Sequence, residues 1–134
     1  MSVVRRNDWC TPRAFLLPEL GPGVAGDLRV ALEQALRCIT ADPSVKGLVL
    51  FGSRASGSAR PDSDLDLLVV ERVPHLDPQA TAACWWRHRQ PLLPLPVAVA
   101  LVVSGSADAE RLSGSRWHVI SEAARHGQVL VVQP

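Results

Sequence analysis

The chain contains no tyrosine, one methionine, two phenylalanines and, in Lys46, a single lysine. Without tyrosine, chemistry that needs a phenol hydroxyl must draw it from another molecule. With lysine nearly absent, positive charge is carried by arginine, whose planar fork suits bidentate contact with phosphate or carboxylate wherever several converge. Cysteine is scarce too. Cys10, Cys38 and Cys84 are odd in number and widely spaced, which argues against a disulfide framework or a zinc site and reads as reduced thiols. No apolar run is long: Pro91 to Val103 is too short to span a bilayer and is broken by Pro91, Pro94 and Pro96. Met1 to Trp9 carries Arg5, Arg6 and Asp8 where a secretory signal would be apolar. A cytoplasmic protein with no membrane attachment is expected. Neither sign of charge dominates, the formal net charge being +1, so composition does not support direct nucleic-acid binding.

What is present is enough for one real core: 134 residues, 47% of them hydrophobic. Residues 1 to 23 are rich in Pro and Gly and read as an irregular lead-in, with Phe15, Leu16 and Leu17 placed to dock on the body. From Val24 to Ile39 the apolar residues Leu28, Ala31, Leu32, Ala35, Leu36 and Ile39 recur at helical spacing, and Asp42-Pro43 stops the helix. Gly47 to Phe51 reads as a strand, Asp64 to Val70 as a second. Asp77-Pro78 is an N-cap with proline at the first helical position, opening a helix to about Gln90. Its adjacent Trp85 and Trp86 cannot both face a core, so at least one should be exposed or cover a neighbouring element. Val97 to Val103 reads as a third strand, followed by Ser104-Gly105-Ser106 and a helix from about Ala107 to His126, interrupted near Ser113-Gly114-Ser115. Gly127 is expected at a left-handed helix C-terminus, and Gln128 to Val132 as a last strand. The order predicts an α/β (α+β) domain over residues 24 to 134, a small mixed sheet covered by helices. The histidines His75, His88, His118 and His126 show no metal-ligand spacing, and His126 reads as a cation near a helix C-terminus.

The segment with chemistry in it is Leu50 to Val70, LFGSRASGSARPDSDLDLLVV. A glycine-serine turn, Gly52-Ser53, ends one apolar run, and Asp64 and Asp66 open the next. Side chains alternate along a strand, so the two acids share a face while Leu65 and Leu67 point to the core. Two carboxylates about 6 Å apart repel by roughly 2 to 3 kcal/mol at an effective dielectric near 20; a hard divalent cation removes that cost. Magnesium takes one or two carboxylates and fills its other positions with water and phosphate oxygen. Gly52 permits close approach of a ligand, Ser53 offers a hydroxyl, and Arg54 and Arg60 add two cations to the loop.

Written as G-S-x10-D-x-D, with Gly52, Ser53, Asp64 and Asp66 fixed, the segment resembles the signature of the minimal nucleotidyltransferase domains of the polymerase-beta superfamily. The fuller pattern is met by Arg54, Ala55, Gly57, Ala59, Ser63 and Leu67. The resemblance implies a polymerase-beta-like fold and a metal-dependent transfer of a nucleoside monophosphate, AMP from ATP, to an acceptor hydroxyl. It implies that Asp64 and Asp66 are catalytic and hold Mg2+ or Mn2+, and that Gly52, Ser53 and Arg54 bind the nucleotide. Many domains of this type pair with a HEPN-domain protein as its antitoxin, which implies such a partner here and an acceptor residue on it.

The family's third carboxylate normally stands on the third strand. Here Pro96-Val97-Ala98-Val99-Ala100-Leu101 has no acid. Ala98 and Ala100 share a parity, and one of them, Ala100 by preference, is expected where that acid would be. Asp62, Glu71 and Asp108 are the nearby acids that would have to substitute. The alternative is therefore a catalytically impaired, nucleotidyltransferase-like module that neutralises a partner by contact.

Overall fold

The strands are mostly apolar on both faces because both faces of the sheet they form are covered. In this computed structural model, residues 11–113 and 119–134 are described. Met1 to Trp9, Cys10, the helix interruption at Gly114-Ser115, and His118 lie outside them. The elements are α1 (Gly26–Thr40), β1 (Val45–Phe51), α2 (Ser53–Ser56), β2 (Leu65–Glu71) and α3 (Pro78–Arg89). A 3-10 turn (Gln90–Leu92), β3 (Val99–Gly105), α4 (Ser106–Ser113), α5 (Val119–His126) and β4 (Gln128–Val132) follow. The sheet order is β3-β2-β1-β4. β1 runs antiparallel to β2 and to β4, while β3 lies parallel to β2. A parallel neighbour needs a crossover, and α3 supplies it. The mixed α/β architecture expected from the order of elements is the one observed.

Alternation divides the core in two. Leu48, Leu50, Leu65, Leu67 and Val69 pack with Leu32, Leu36 and Ile39 of α1 and with Leu17 and Leu20 of the segment before it. Val49, Phe51, Leu68 and Val70 pack on the other side against Ala109, Ile120 and Ala123 of α4 and α5. The lead-in is seated along β4: Arg13 bridges Val132, and Leu16 N donates to Leu130 O. Phe15 packs at the core margin and Leu17 is buried, whereas Leu16 points to solvent.

Element boundaries shift in ways that matter for the site. β2 begins at Leu65, which leaves Asp64 just before the strand. β3 runs two residues later than its apolar run suggests, taking in Ser104 and Gly105, because Pro94 and Pro96 hold the chain in turns and bends before Ala98. Gly127 also differs from expectation: it has no positive φ. It is required by close approach instead, since a Cβ there would sit 2.3 Å from Ala123 O and 2.9 Å from Val49 Cγ1.

Helix α3 starts on the expected cap, Asp77 Oδ1 accepting from Ala80 N at 2.7 Å. Its tryptophans divide as their adjacency requires: Trp85 is half-buried with Nε1 donating to Leu101 O at 2.9 Å, and Trp86 is exposed. The helix is fastened to β2 by a buried pair, His88 Nε2 and Glu71 Oε1 at 2.6 Å, with both side chains only 2% exposed. Arg87 adds an ion pair to Asp42 at 2.7 Å. Burial works to raise the Glu71 pKa, but hydrogen bonds from His88, Ser44 and Cys84 together with the charge of His88 outweigh it and hold the carboxyl below its usual range. Among the described residues, no helix is long and apolar enough to cross a membrane.

Candidate functional site

The end of β1 and the start of β2 meet at Phe51 and Asp66, which are paired across the antiparallel ladder. Immediately after Phe51 the chain turns at Gly52, with φ 71° and ψ −158°, a region essentially confined to glycine. The turn brings its Cα against the Asp66 carboxylate: a Cβ on Gly52 would lie 2.1 Å from Asp66 Oδ2. Ser53 then opens the four-residue α2, which Gly57 closes in the left-handed conformation. The short helix is pinned from β4, where Gln128 Nε2 donates to Ala55 O at 2.7 Å. Gly52, Ser53 and the two acids are thus brought to one end of the sheet.

Asp64 is exposed just before β2, and Asp66 is half-buried at the second position of the strand. The parallel ladder fixes their neighbours on β3: Leu65 is in register with Val99 and Asp66 with Ala100. One step back along that register, Ala98 flanks Asp64. Both alanines are exposed, so the face beside the carboxylates carries methyl groups only. The acids named as substitutes lie elsewhere. Glu71 is five residues further along β2, some 17 Å away at about 3.3 Å per residue, and is engaged with His88. Asp108, in the first turn of α4 at that same far end, bonds His75 Nδ1 at 2.8 Å. Its carboxyl is held low by that hydrogen bond. Asp62 is exposed in the loop. Glu71 and Asp108 therefore do not replace the missing acid.

Arg54 is a correction. The expectation was a cation facing phosphate; its side chain is instead 2% exposed and its donors are spent on carbonyls. Nη1 donates to Leu20 O and Pro22 O at 2.8 and 3.0 Å. Nε and Nη2 donate to Ser63 O at 3.1 and 2.9 Å, and Nη2 reaches Arg60 O at 3.3 Å. The guanidinium ties the lead-in and the loop before Asp64 to α2. Arg60, exposed in the same loop, is the cation left facing solvent. Sequence gave no warning of this exchange, because an arginine in a glycine-rich loop looks the same whether it turns outward or in. The His88–Glu71 pair was equally invisible, its members being 17 residues apart.

The donor set of the carboxylates is all oxygen and open to solvent at Asp64, which suits a hard cation and not zinc or copper. Among the described residues no group of three His, Cys, Asp or Glu side chains converges.

Residues 32–130 match a family model described as a nucleotidyltransferase domain. Among solved structures, a Sulfolobus solfataricus protein assigned as a nucleotidyltransferase is 16% identical, with 76% of this chain and 77% of that chain covered and a TM-score of 0.52. A toxin-antitoxin structure with AMP-PNP is 21% identical over 78% of this chain and 73% of that one, with a TM-score of 0.46. A mutant form of the toxin-antitoxin MntA-HpeT is 18% identical at the same coverage, with a TM-score of 0.40. No curated protein matches the chain. At 16% identity, the likeness to the Sulfolobus solfataricus protein is one of fold.

Proposed function

Because the chain belongs to the nucleotidyltransferase-domain family, its model matching residues 32–130, we propose that it transfers AMP from ATP to a hydroxyl on a partner protein, acting as the antitoxin of a HEPN-type pair. The observation that carries the chemistry is the Asp66 carboxylate packed on the Gly52 turn, with Asp64 two residues before it at the entry to β2. The antitoxin role is supported by the likeness of Gly52, Ser53, Asp64 and Asp66 to minimal nucleotidyltransferase domains. An acceptor tyrosine would have to come from the partner, since this chain has none.

Gly52 and Ser53 bind the β and γ phosphates, the glycine by letting the backbone come close and the serine through its hydroxyl. Arg60 adds positive charge at the mouth of the loop. Asp64 and Asp66 are the groups that would hold Mg2+ or Mn2+, which when bound neutralises phosphate charge and polarises the α-phosphate. Positioning then does most of the work: the acceptor oxygen bonds to the α-phosphorus as the bond to the bridging oxygen breaks. Pyrophosphate leaves with the electron pair, and the hydroxyl proton passes to solvent water. Arg54 acts through the loop it fastens.

The test is transfer of label from α-phosphate-labelled ATP into the protein encoded beside this one. We expect label with the wild type and a loss of at least 100-fold with Asp64→Ala/Asp66→Ala. A stable complex with no label, and strong transfer after Ala100→Asp, would favour the second reading, a contact-only module. That reading rests on the register of Asp66 with Ala100, where no acid stands.

A further inference from the structure

Strand β3 is the outer strand of the sheet, and part of its free edge is open. Ala98 O accepts from Leu65 N, so residues 98, 100 and 102 turn their backbone groups to β2 while Val99 and Leu101 turn theirs away. Trp85 Nε1 takes the outward carbonyl of Leu101. Among the described residues, the Val99 N–H and C=O and the Leu101 N–H have no hydrogen-bond partner.

The side chains of this edge sort onto two faces. Val97, Val99 and Leu101 lie on the α1 side, where with Leu92, Leu95 and Arg89 they line a cavity of about 200 Å³. Ala100, in register with Asp66, lies on the opposite face, the one bearing that carboxylate, while Ala98, just before the strand, also borders the cavity. We infer that an extended polypeptide segment docks on the Val99 edge as a fifth strand and carries the acceptor hydroxyl. Strand addition of this kind gains main-chain hydrogen bonds at an open edge and side-chain pockets at alternate positions.

The parity makes the two halves of the inference one. A segment paired with β3 that buries an apolar side chain in the cavity sends the neighbouring side chain to the other face, toward the carboxylates. Its Cα would then stand about 10 Å from that of Asp66, two strand spacings away. A Ser, Thr or Tyr hydroxyl there meets the α-phosphate across the methyl groups of Ala98 and Ala100, which leave the path open. Charge supports a peptide as occupant as well. The Arg89 guanidinium stacks over Trp85 at 4.8 Å at the cavity rim and has no acidic partner among the described residues, so a segment carrying a carboxylate beside its apolar anchor is favoured. Presentation of the hydroxyl rests on the transfer reading above; the docking does not.

The experiment separates the two. Random dodecapeptides displayed on phage are selected against the full chain without nucleotide, and an enriched peptide is synthesised and titrated. We expect apolar-acidic peptides whose backbone N-methylation weakens binding at least tenfold at every second residue. Filling the cavity with Val97→Trp should abolish binding. Val99→Pro, which removes an outward N–H that the ladder does not use, should weaken it about tenfold. No enrichment, indifference to N-methylation, or binding unchanged in both variants overturns the docking. Where the chain labels its partner protein from α-labelled ATP, peptide binding of the expected pattern with no label passing to a Ser, Thr or Tyr built into the peptide leaves the edge as a docking strand and overturns its role in presenting the acceptor; no label on partner or peptide overturns the transfer reading instead.

Discussion

Gly52 is the position where one atom decides the site. Its φ of 71° already excludes most side chains, and the 2.1 Å separation between a Cβ and Asp66 Oδ2 means that alanine must push the carboxylate away. Gly52→Ala is expected to cost about 1 to 3 kcal/mol in stability while removing transfer and metal-dependent nucleotide binding. Thermal unfolding beside nucleotide titration separates the two effects; full nucleotide binding in the variant would contradict the packing of Asp66 on this turn. The neighbouring Arg54 shows the limit of reading single residues. Its motif position was legible, but its direction depended on carbonyls of Leu20, Pro22 and Ser63 that come together only in the folded chain.

Helix α3 and strand β2 are joined by the buried His88–Glu71 pair. Removing His88 takes away the 2.6 Å partner of the buried Glu71 carboxylate and leaves as its ion pair only Arg87 at 3.5 Å; breaking a buried pair costs up to about 3 to 5 kcal/mol, so His88→Ala should be among the most destabilising single changes in α3. The pH dependence has a fixed sign. The folded Glu71 carboxyl titrates below its ordinary 4.5, so its contribution is fully present above that value and is lost as pH falls through the lower folded one. Urea unfolding of wild type and His88→Ala should therefore differ most above pH 4.5 and converge as pH falls through the lowered folded value; a gap that widens in acid would refute this. The helices and strands themselves were legible, since periodicity and caps such as Asp77-Pro78 act within a few residues. The start of β3 was not, because pairing with β2 and the turns through Pro94 and Pro96 set it rather than its apolar run.

The domain is held together at the site end by contacts between segments far apart in sequence. Arg54 binds the lead-in at Leu20 and Pro22 to the loop at Ser63, and Gln128 ties β4 to α2. Arg54→Met should therefore loosen the lead-in and the loop together, destabilising the protein by roughly 1 to 3 kcal/mol for the buried Leu20 carbonyl that loses its donor, with smaller losses at the part-buried carbonyls of Pro22 and Ser63. Hydrogen exchange should rise in residues 17 to 24 and 58 to 64 alike; a rise confined to one segment would show that Arg54 does not couple them. The two-sided burial of the sheet, the order of helices and strands, and the turn with its Asp64 and Asp66 pair followed from the amino-acid order alone. Patterning and motif spacing are local properties, complete within a dozen or so residues. The inward turn of Arg54, the pairing of His88 with Glu71, and the register that sets Ala100 beside Asp66 are long-range events. They depend on which strand lies next to which and by how many residues it is offset, and that is settled only when the faces of the sheet are buried.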